Sequence, residues 1–489
     1  MTTMEGLREK AISGAFWTSI QKFGISILSF LSNIVLARLL VPDDYGCIGL
    51  LAIFIAISNS LVFGGFISAL IQKKDAAEPD YSTVFIWNLS VAIILYLILF
   101  FVAPFIASFY RISKLCSVLR VEGLILIVNG LSTVQTTLLR KALRFKKLAI
   151  INIISSSIAI VVAIILAYKG MGVWALVTQQ IVMSSCNTLL LWITSTWRPS
   201  CVFSIDSFRG LFSYGGFMLL SDLMNTFCDN IQGLIIGRRF SSSTMGYYAQ
   251  AKRLEEVPTQ SFSQLVAQVT FPIYSTIQDE HDRLRSAVKR TLSLMNYVNF
   301  PLMVLLMVVA EPLIVCLYSN KWIDSIPLFQ ILCVAGLVNC LQSVNYQVVS
   351  ASGRSKQLFI WNFAKRGSGL LLMIIGAFWG VKGVLWGMVI SYYIVYYVNA
   401  RLAFQSTHYS IGEQALDSLP YLILSIVSAV LVFPISYMIS QLFIRLVVQV
   451  FVFICSYALL SLFFAKNQFL EIRSIIGTYV KRFLVVNSQ

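Results

Sequence analysis

Residues 84–106 read VFIWNLSVAIILYLILFFVAPFI, a run without a single charged side chain. An α-helix of about 20 apolar residues crosses the ~30 Å hydrocarbon core of a bilayer. Comparable apolar runs occur at 150–167 and 421–439. A helix satisfies its own backbone hydrogen bonds in lipid, so these runs predict an all-α integral membrane protein.

The composition excludes several other classes of protein. Of 489 residues, 58% are hydrophobic and only 12% are charged, too few to cover a water-soluble globule. The net charge of +16 is dispersed between apolar runs without a nucleic-acid motif, so no nucleic-acid partner is expected. The nine Cys lack metal-ligand spacing and the two His, His281 and His408, lie far apart, so neither a metal site nor another cofactor is predicted.

Rare residues of the first 170 positions recur in order at an offset that grows from 200 to 210. The pairs are Ser13/Ser213, Arg38/Arg238, Gly46/Gly246, Pro104/Pro312, Tyr110/Tyr318, Asn129/Asn339, Arg144/Arg354, Lys146/Lys356, Asn152/Asn362 and Gly170/Gly380. This order indicates a duplicated membrane unit. Each copy has six predicted spans and therefore enters the bilayer in the same direction. The repeat predicts two six-helix lobes related by a pseudo-two-fold axis along the membrane normal.

The predicted organisation has about fourteen transmembrane helices. It comprises an N-terminal lobe at 1–200, a C-terminal lobe at 201–408, two extra helices at 409–466 and a cytoplasmic amphipathic basic tail at 467–489. Hydropathy alone leaves the seventh and eighth spans in doubt because polar residues interrupt them. We predict them as spans because they occupy the positions of the first and second spans in the repeat. Most Lys and Arg residues fall on the side of the N-terminus, which predicts two cytoplasmic termini in a bacterial inner membrane.

Two predicted spans carry polar side chains on one helical face, because these residues recur every three or four positions. They are Asp222, Asn225, Asp229 and Gln232 on the seventh span, and Arg253, Glu256, Gln260, Gln264 and Gln268 on the eighth. An ionisable group at the centre of a span costs ~2.5–3.5 kcal/mol on insertion scales. The two faces therefore predict the wall of a water-filled cavity.

Other spans contribute further charged and amide residues. They are Lys22 on the first span, Asn339 and Gln342 on the tenth, and Lys365 and Arg366 on the eleventh. Simpler interpretations stay open for single residues: Lys22 and Lys365 can each extend towards the cytoplasmic interface, and Glu255 and Glu256 can pair with Lys252 and Arg253. Extension to the interface or a local ion pair explains a single residue more easily than a whole helical face of polar residues.

Five stretches carry a resemblance to a known family. They are REKAISGAFW (8–17), LARLLVPDDYG (36–46), FPIYSTIQD (271–279), NFPLMVLLMVVAEPLI (299–314) and NKWIDSIPLFQIL (320–332). These stretches resemble Wzx-type polysaccharide exporters, especially the colanic acid exporter branch. The wider group is the multidrug, oligosaccharidyl-lipid and polysaccharide exporter superfamily.

The resemblance implies fourteen helices in two lobes, alternating access, and movement of an undecaprenyl-diphosphate-linked oligosaccharide from the cytoplasmic to the periplasmic leaflet. Lys and Arg are suited to a diphosphate. We therefore assign substrate binding to Lys22, Arg253, Lys365, Arg366, Asn339 and Gln342, and the sugar path or a coupling proton or sodium ion to Asp222, Asp229 and Glu256. These assignments depend on helical phase and depth, because the family is too divergent to transfer them residue by residue.

The main rival is a cation or drug antiporter of the MATE type, which shares the two-lobe plan. A cavity dominated by Lys and Arg repels organic cations, which favours the exporter. An enzyme is not expected, because no P-loop or nucleophile with a His partner is found, and no loop is large enough for a glycosyl polymerase or ligase domain. The sequence leaves open whether a polysaccharide polymerase and a chain-length regulator are partners.

Overall fold

The computed structural model describes residues 4–63, 65–73 and 75–474. This described part is almost entirely α-helical and contains no β-strand. Eleven helical stretches within it are long and apolar enough to cross a membrane. The predicted fold class, an all-α integral membrane protein, is confirmed. Contacts divide the chain into two compact units, Met1–Gly246 and Tyr247–Gln489.

The first unit contains nine helices of the described chain and the start of a tenth. They are α1 (Met4–Leu39), α2 (Pro42–Phe63), α3 (Phe66–Gln72), α4 (Glu78–Tyr110), α5 (Lys114–Glu122), α6 (Leu124–Lys141), α7 (Phe145–Tyr168), α8 (Val173–Thr194), α9 (Ile205–Arg239) and the first turn of α10 (Ser242–Thr276). Within this unit α1 packs on α7, α7 on α8, and α6 on both α4 and α8. The polar helix α9 packs on α2 and α3.

The second unit contains the rest of α10, eight further α-helices with defined bounds, and a helical segment at 466–474 at the end of the described chain. The eight helices are α11 (His281–Val308), α12 (Ala310–Tyr318), α13 (Ser325–Ala351), α14 (Ser355–Gly376), α15 (Gly380–Thr407), α16 (Ile411–Val432), α17 (Ile435–Met438) and α18 (Leu442–Phe464). In this unit α15 packs on α13 and α14, and α11 packs on α13 and α16. Short 3₁₀ turns precede α13 and α15.

Apolar side chains are strongly exposed while amides are buried. Phe101, Phe105 and Ile193 are 68%, 75% and 76% exposed, whereas Asn88 and Gln135 have no exposed surface. A water-soluble protein shows the opposite tendency for its large apolar and polar residues. The distribution fits helices whose outer faces contact lipid.

The span count differs from fourteen for a physical reason. The seventh and eighth predicted spans are helical over their full length, as α9 and α10, but their polar residues keep them out of the eleven apolar stretches. The helices α14 and α15 form one continuous apolar stretch from Ile360 to Thr407, which counts once. The number of membrane crossings and the symmetry of the two lobes stay predictions, as do the predicted domain boundaries.

The repeated glycines Gly46 and Gly246 make a reciprocal close contact. A Cβ atom on Gly46 would lie 1.8 Å from the carbonyl oxygen of Ser242, and one on Gly246 would lie 1.9 Å from that of Pro42. Ser242, the first residue of α10, occupies the repeat position of Pro42, the first residue of α2. Gly46 of α2 therefore lies against the start of α10, and Gly246 of α10 lies against the start of α2. These two glycines therefore have a packing role, because any side chain there would force the helices apart.

The first of the two appended helices, α16, is tied to α11 by ion pairs. Arg285 pairs with Glu413 at 2.6 Å and Lys289 with Asp417 at 2.9 Å, close to the start of α16. Beyond α18, residues 466–474 are helical, and Arg290 Nε donates to Glu471 at 2.6 Å. The predicted amphipathic tail continues from residue 475 to 489, outside the described residues.

Candidate functional site

The first unit contains an open polar cavity of about 480 Å³ between α2, α3, α6 and α9. Its polar lining consists of Asn59, Ser60, Ser68, Arg140, Asp222, Thr226, Asp229 and Asn230. The volume lies within the ~300–1,000 Å³ range of small-molecule sites. Two carboxylates and a guanidinium in such a cavity need water or a polar ligand, because lipid cannot solvate them.

Helical spacing explains why α9 contributes so much of this lining. Asp222, Thr226 and Asp229 are four and three residues apart, which places them on one face of the helix. From the opposite wall, Ser60 Oγ lies 2.8 Å from Thr226 Oγ1. The Asn129 amide of α6 donates to Asn59 Oδ1 at 3.1 Å and holds that side chain in place. The structure thus brings the predicted residues Asp222 and Asp229 to one cavity.

The cavity lies beside a break in the second predicted span. Helix α2 ends at Phe63 and α3 begins at Phe66, and Gly65 between them has a φ of +67°. A Cβ atom on Gly65 would lie 2.0 Å from the carbonyl oxygen of Gly215 on α9. Only glycine suits both the left-handed backbone and this close approach. Gly65 itself is one of the residues that line the cavity.

A second polar group lies in the other unit, around Lys365 of α14. This side chain is only 4% exposed, and its Nζ donates to Asn399 Oδ1 at 2.7 Å. Asn399 Nδ2 donates to the backbone oxygen of Gln342 at 3.4 Å, and Gln342 Nε2 donates to Asn339 Oδ1 at 2.6 Å. The network joins three of the predicted binding residues. Lys365 is buried in it, unlike a lysine that extends to the membrane interface.

The remaining predicted residues occupy less enclosed positions. Lys22 is exposed on α1, Arg253 is exposed on α10, and Arg366 is partly buried on α14. Glu256 is partly exposed and pairs with Lys252 at 3.7 Å, which is the simpler interpretation of this carboxylate. The roles of all nine predicted site residues stay predictions.

Sequence reasoning missed several residues of these two groups. Asn59 and Ser60 line the cavity from the second predicted span, and the signal for them was the presence of adjacent polar residues within an apolar run. Arg140 was counted only as a cytoplasmic charge. Asn399 belongs to no polar stripe of α15, and no periodicity of the sequence indicates that it holds Lys365.

Solved structures with the same fold include two transporters. The structure aligns with the lipid II flippase MurJ in its inward closed conformation at a TM-score of 0.74 and 16% identity, covering 92% of this chain and 99% of that one. An inward-facing multidrug resistance MATE family transporter aligns at 0.61 and 16%, covering 78% and 94%. At these identities the likeness shows the fold alone.

Sequence comparison identifies the family. Residues 35–327, more than half of the chain, match the model of a family described as polysaccharide biosynthesis protein. The teichuronic acid biosynthesis protein TuaB of Bacillus subtilis (strain 168) is 27% identical over 372 residues, 76% of each chain. The lipopolysaccharide biosynthesis protein WzxC of Escherichia coli (strain K12) is 24% identical over 400 residues, 81% of each chain. The resemblance to Wzx-type exporters is thus confirmed, and the chain belongs to the polysaccharide biosynthesis protein family.

Proposed function

We propose that this protein is a flippase that moves an undecaprenyl-diphosphate-linked oligosaccharide from the cytoplasmic to the outer leaflet of a bacterial inner membrane. The observation that carries the proposal is the 480 Å³ polar cavity within helices whose outer faces suit lipid. Membership of a polysaccharide biosynthesis family and the likeness to a lipid II flippase support this class of cargo.

The chemistry of such a cargo matches the two polar groups. Sugar hydroxyls and amides hydrogen-bond to carboxylate and amide side chains, which the cavity supplies at Asp222, Asp229 and Asn230. A diphosphate requires cations, and Lys365 with Arg366 would supply them on α14. The prenyl chain remains in lipid, where it needs no polar partner. In this proposal Lys22 and Arg253 also contact the head group, with Asn339 and Gln342 beside Lys365.

Movement of the cargo would occur by alternating access between the two sides of the membrane. The described chain contains no nucleotide-binding P-loop, so the proposed energy source is an ion gradient. Asp222, Asp229 and Glu256 are the proposed sites for the sugar path or for the coupling ion. Both termini would lie in the cytoplasm, and a polymerase with a chain-length regulator would act on the exported product.

Deletion of the gene in its own host, followed by complementation, tests the proposal. Loss of the protein should remove surface polysaccharide and leave lipid-linked oligosaccharide in the cytoplasmic leaflet. Complementation with the wild-type chain should restore export, whereas Lys22→Ala combined with Lys365→Ala should not, although the variant reaches the membrane. Unchanged polysaccharide together with altered sensitivity to cationic drugs would contradict the proposal and favour a MATE-type antiporter.

A further inference from the structure

Glu255 of α10 is a buried carboxyl that neither polar stripe includes. Its side chain is 6% exposed, and Oε1 has no hydrogen-bond partner among the described residues. The adjacent Glu256 is more exposed and has Lys252 at 3.7 Å as its ion partner. Two neighbouring carboxyls therefore differ in their surroundings: Glu256 is partly exposed and ion-paired, and Glu255 is buried.

The pocket around Oε1 is built by a glycine of α13. A Cβ atom on Gly336 would lie 2.8 Å from Glu255 Oε1 and 2.6 Å from Met303 Sδ, so any larger residue would displace the carboxyl. The third close atom is the methyl carbon of Thr259, at 3.4 Å. Gly336 thus leaves the space beside this oxygen that any larger side chain would fill.

These surroundings favour a proton over a metal ion. A hard metal cation needs several oxygen ligands, and no group of three or more His, Cys, Asp or Glu suitable for a metal is found in the described part of the chain. A charged carboxylate is costly in a buried position where one of its oxygens has no hydrogen-bond partner, whereas the protonated acid is neutral. The titratable groups that face Glu255 are Tyr248, Lys252 and Glu256 on α10, Cys333 and Cys340 on α13, and Tyr392 on α15.

The helix around Glu255 is also suited to a change of shape. Pro258 lies inside α10, three residues further on. Proline has no backbone N–H, so the carbonyl of Leu254 lacks its helical donor. The hydroxyl of Thr259 donates to the carbonyl oxygen of Glu255 at 3.0 Å. A helix weakened at this point can bend, and a bend can bring the carboxyl into contact with water.

We propose that Glu255 is the proton-binding site through which a proton gradient drives export. This inference rests on the proposed flippase function. In the closed pocket the carboxyl carries a proton. When α10 bends and water enters, the O–H bond breaks, the proton leaves to that side, and an ionised Glu255 remains. A new O–H bond forms with a proton from the other side before the pocket closes, so that one proton crosses in each cycle.

The first test measures proton binding without any glycan. The full chain in lipid nanodiscs is titrated with acid and base, and infrared difference spectra record the carbonyl stretch of protonated carboxyl groups. The wild type and the control Glu280→Gln, at an exposed glutamate paired with Arg283, should show a protonated buried carboxyl at neutral pH that Glu255→Gln lacks. The same band in Glu255→Gln would overturn the assignment.

The second test separates this inference from the proposed function. Translocation of a fluorescent undecaprenyl-diphosphate-linked glycan is measured in proteoliposomes with and without a pH gradient. The gradient should accelerate the wild type and the control Glu280→Gln, and it should give no acceleration in Glu255→Gln, which still equilibrates the cargo without a gradient. A wild-type response to the gradient in Glu255→Gln would refute the inference and leave the flippase intact. Absence of translocation by the wild type would refute the proposed function, while the infrared titration still decides on proton binding.

If Glu255→Gln is poorly folded, Glu255→Asp serves in both tests and should retain the infrared band.

Discussion

Replacement of Lys365 by methionine distinguishes a structural from a functional role for this buried cation. Methionine has a similar length and no charge, so Lys365→Met keeps most of the packing. The change leaves Asn399 Oδ1 without its 2.7 Å donor, at a cost of ~1–3 kcal/mol. It also removes an ionisable group from a span, where such a group costs ~2.5–3.5 kcal/mol. The two effects largely cancel, so stability should be unchanged or higher by up to ~2 kcal/mol.

Export by Lys365→Met should nevertheless fall. A hydrogen bond from an ammonium to a charged phosphate contributes ~1.5–3 kcal/mol. Because ~1.4 kcal/mol corresponds to a factor of ten, the loss should be roughly 10- to 140-fold if this contact forms only during transport. The effect on export is therefore expected to be large where the effect on folding is small.

The assay pairs complementation of the deletion strain with thermal unfolding of the purified variant in detergent. Lys365→Arg should retain much of the export, and Lys382→Met, an exposed lysine on α15, should behave as wild type. A variant Lys365→Met that unfolds at lower temperature yet exports at the wild-type rate would refute the reasoning, since the lysine would then serve only the fold.

Two further predictions concern the first unit. Asp222→Asn together with Asp229→Asn preserves side-chain size, so the protein should fold. Export should fall roughly ten-fold or more, because charge-assisted hydrogen bonds in the cavity are lost. Normal surface polysaccharide in the complemented strain would contradict this prediction. Gly46→Ala and Gly246→Ala should each lower the melting temperature, since a Cβ within 1.9 Å of a carbonyl oxygen overpacks the contact by ~1–3 kcal/mol. Gly210→Ala, with no atom within 4 Å, is the control and should raise it slightly, by up to ~1 kcal/mol; equal melting temperatures in all three would argue against the close contact.

The helical architecture was predictable because lipid leaves few choices. A run such as 84–106 must form its own hydrogen bonds, and it does so within α4 (Glu78–Tyr110). Helical phase also placed Asp222 and Asp229 on one face, and both line the same cavity. These features follow from local periodicity and from the solvent, both of which can be read from sequence.

Features that depend on tertiary contacts were not predictable. The break at Gly65 is understood only with Gly215 at 2.0 Å from the added Cβ position. The sequence groups Arg140 with the basic residues of the predicted cytoplasmic side, yet in the structure it lines the cavity. The partner of Lys365 is an amide 34 positions away, and Glu255 is distinguished from Glu256 only by burial. Adjacent residues of a helix point in different directions and can have completely different surroundings. The sequence alone does not show which neighbouring helix each side chain contacts.

The most direct measurement of the central claim uses the purified protein in proteoliposomes that contain a fluorescent undecaprenyl-diphosphate-linked glycan. A membrane-impermeant reductant quenches only the label on the outer leaflet. If the polar cavity carries the cargo across, the reductant should quench nearly all of the label in vesicles with the wild-type protein and about half in protein-free vesicles. Equal quenching in the two preparations would contradict the account.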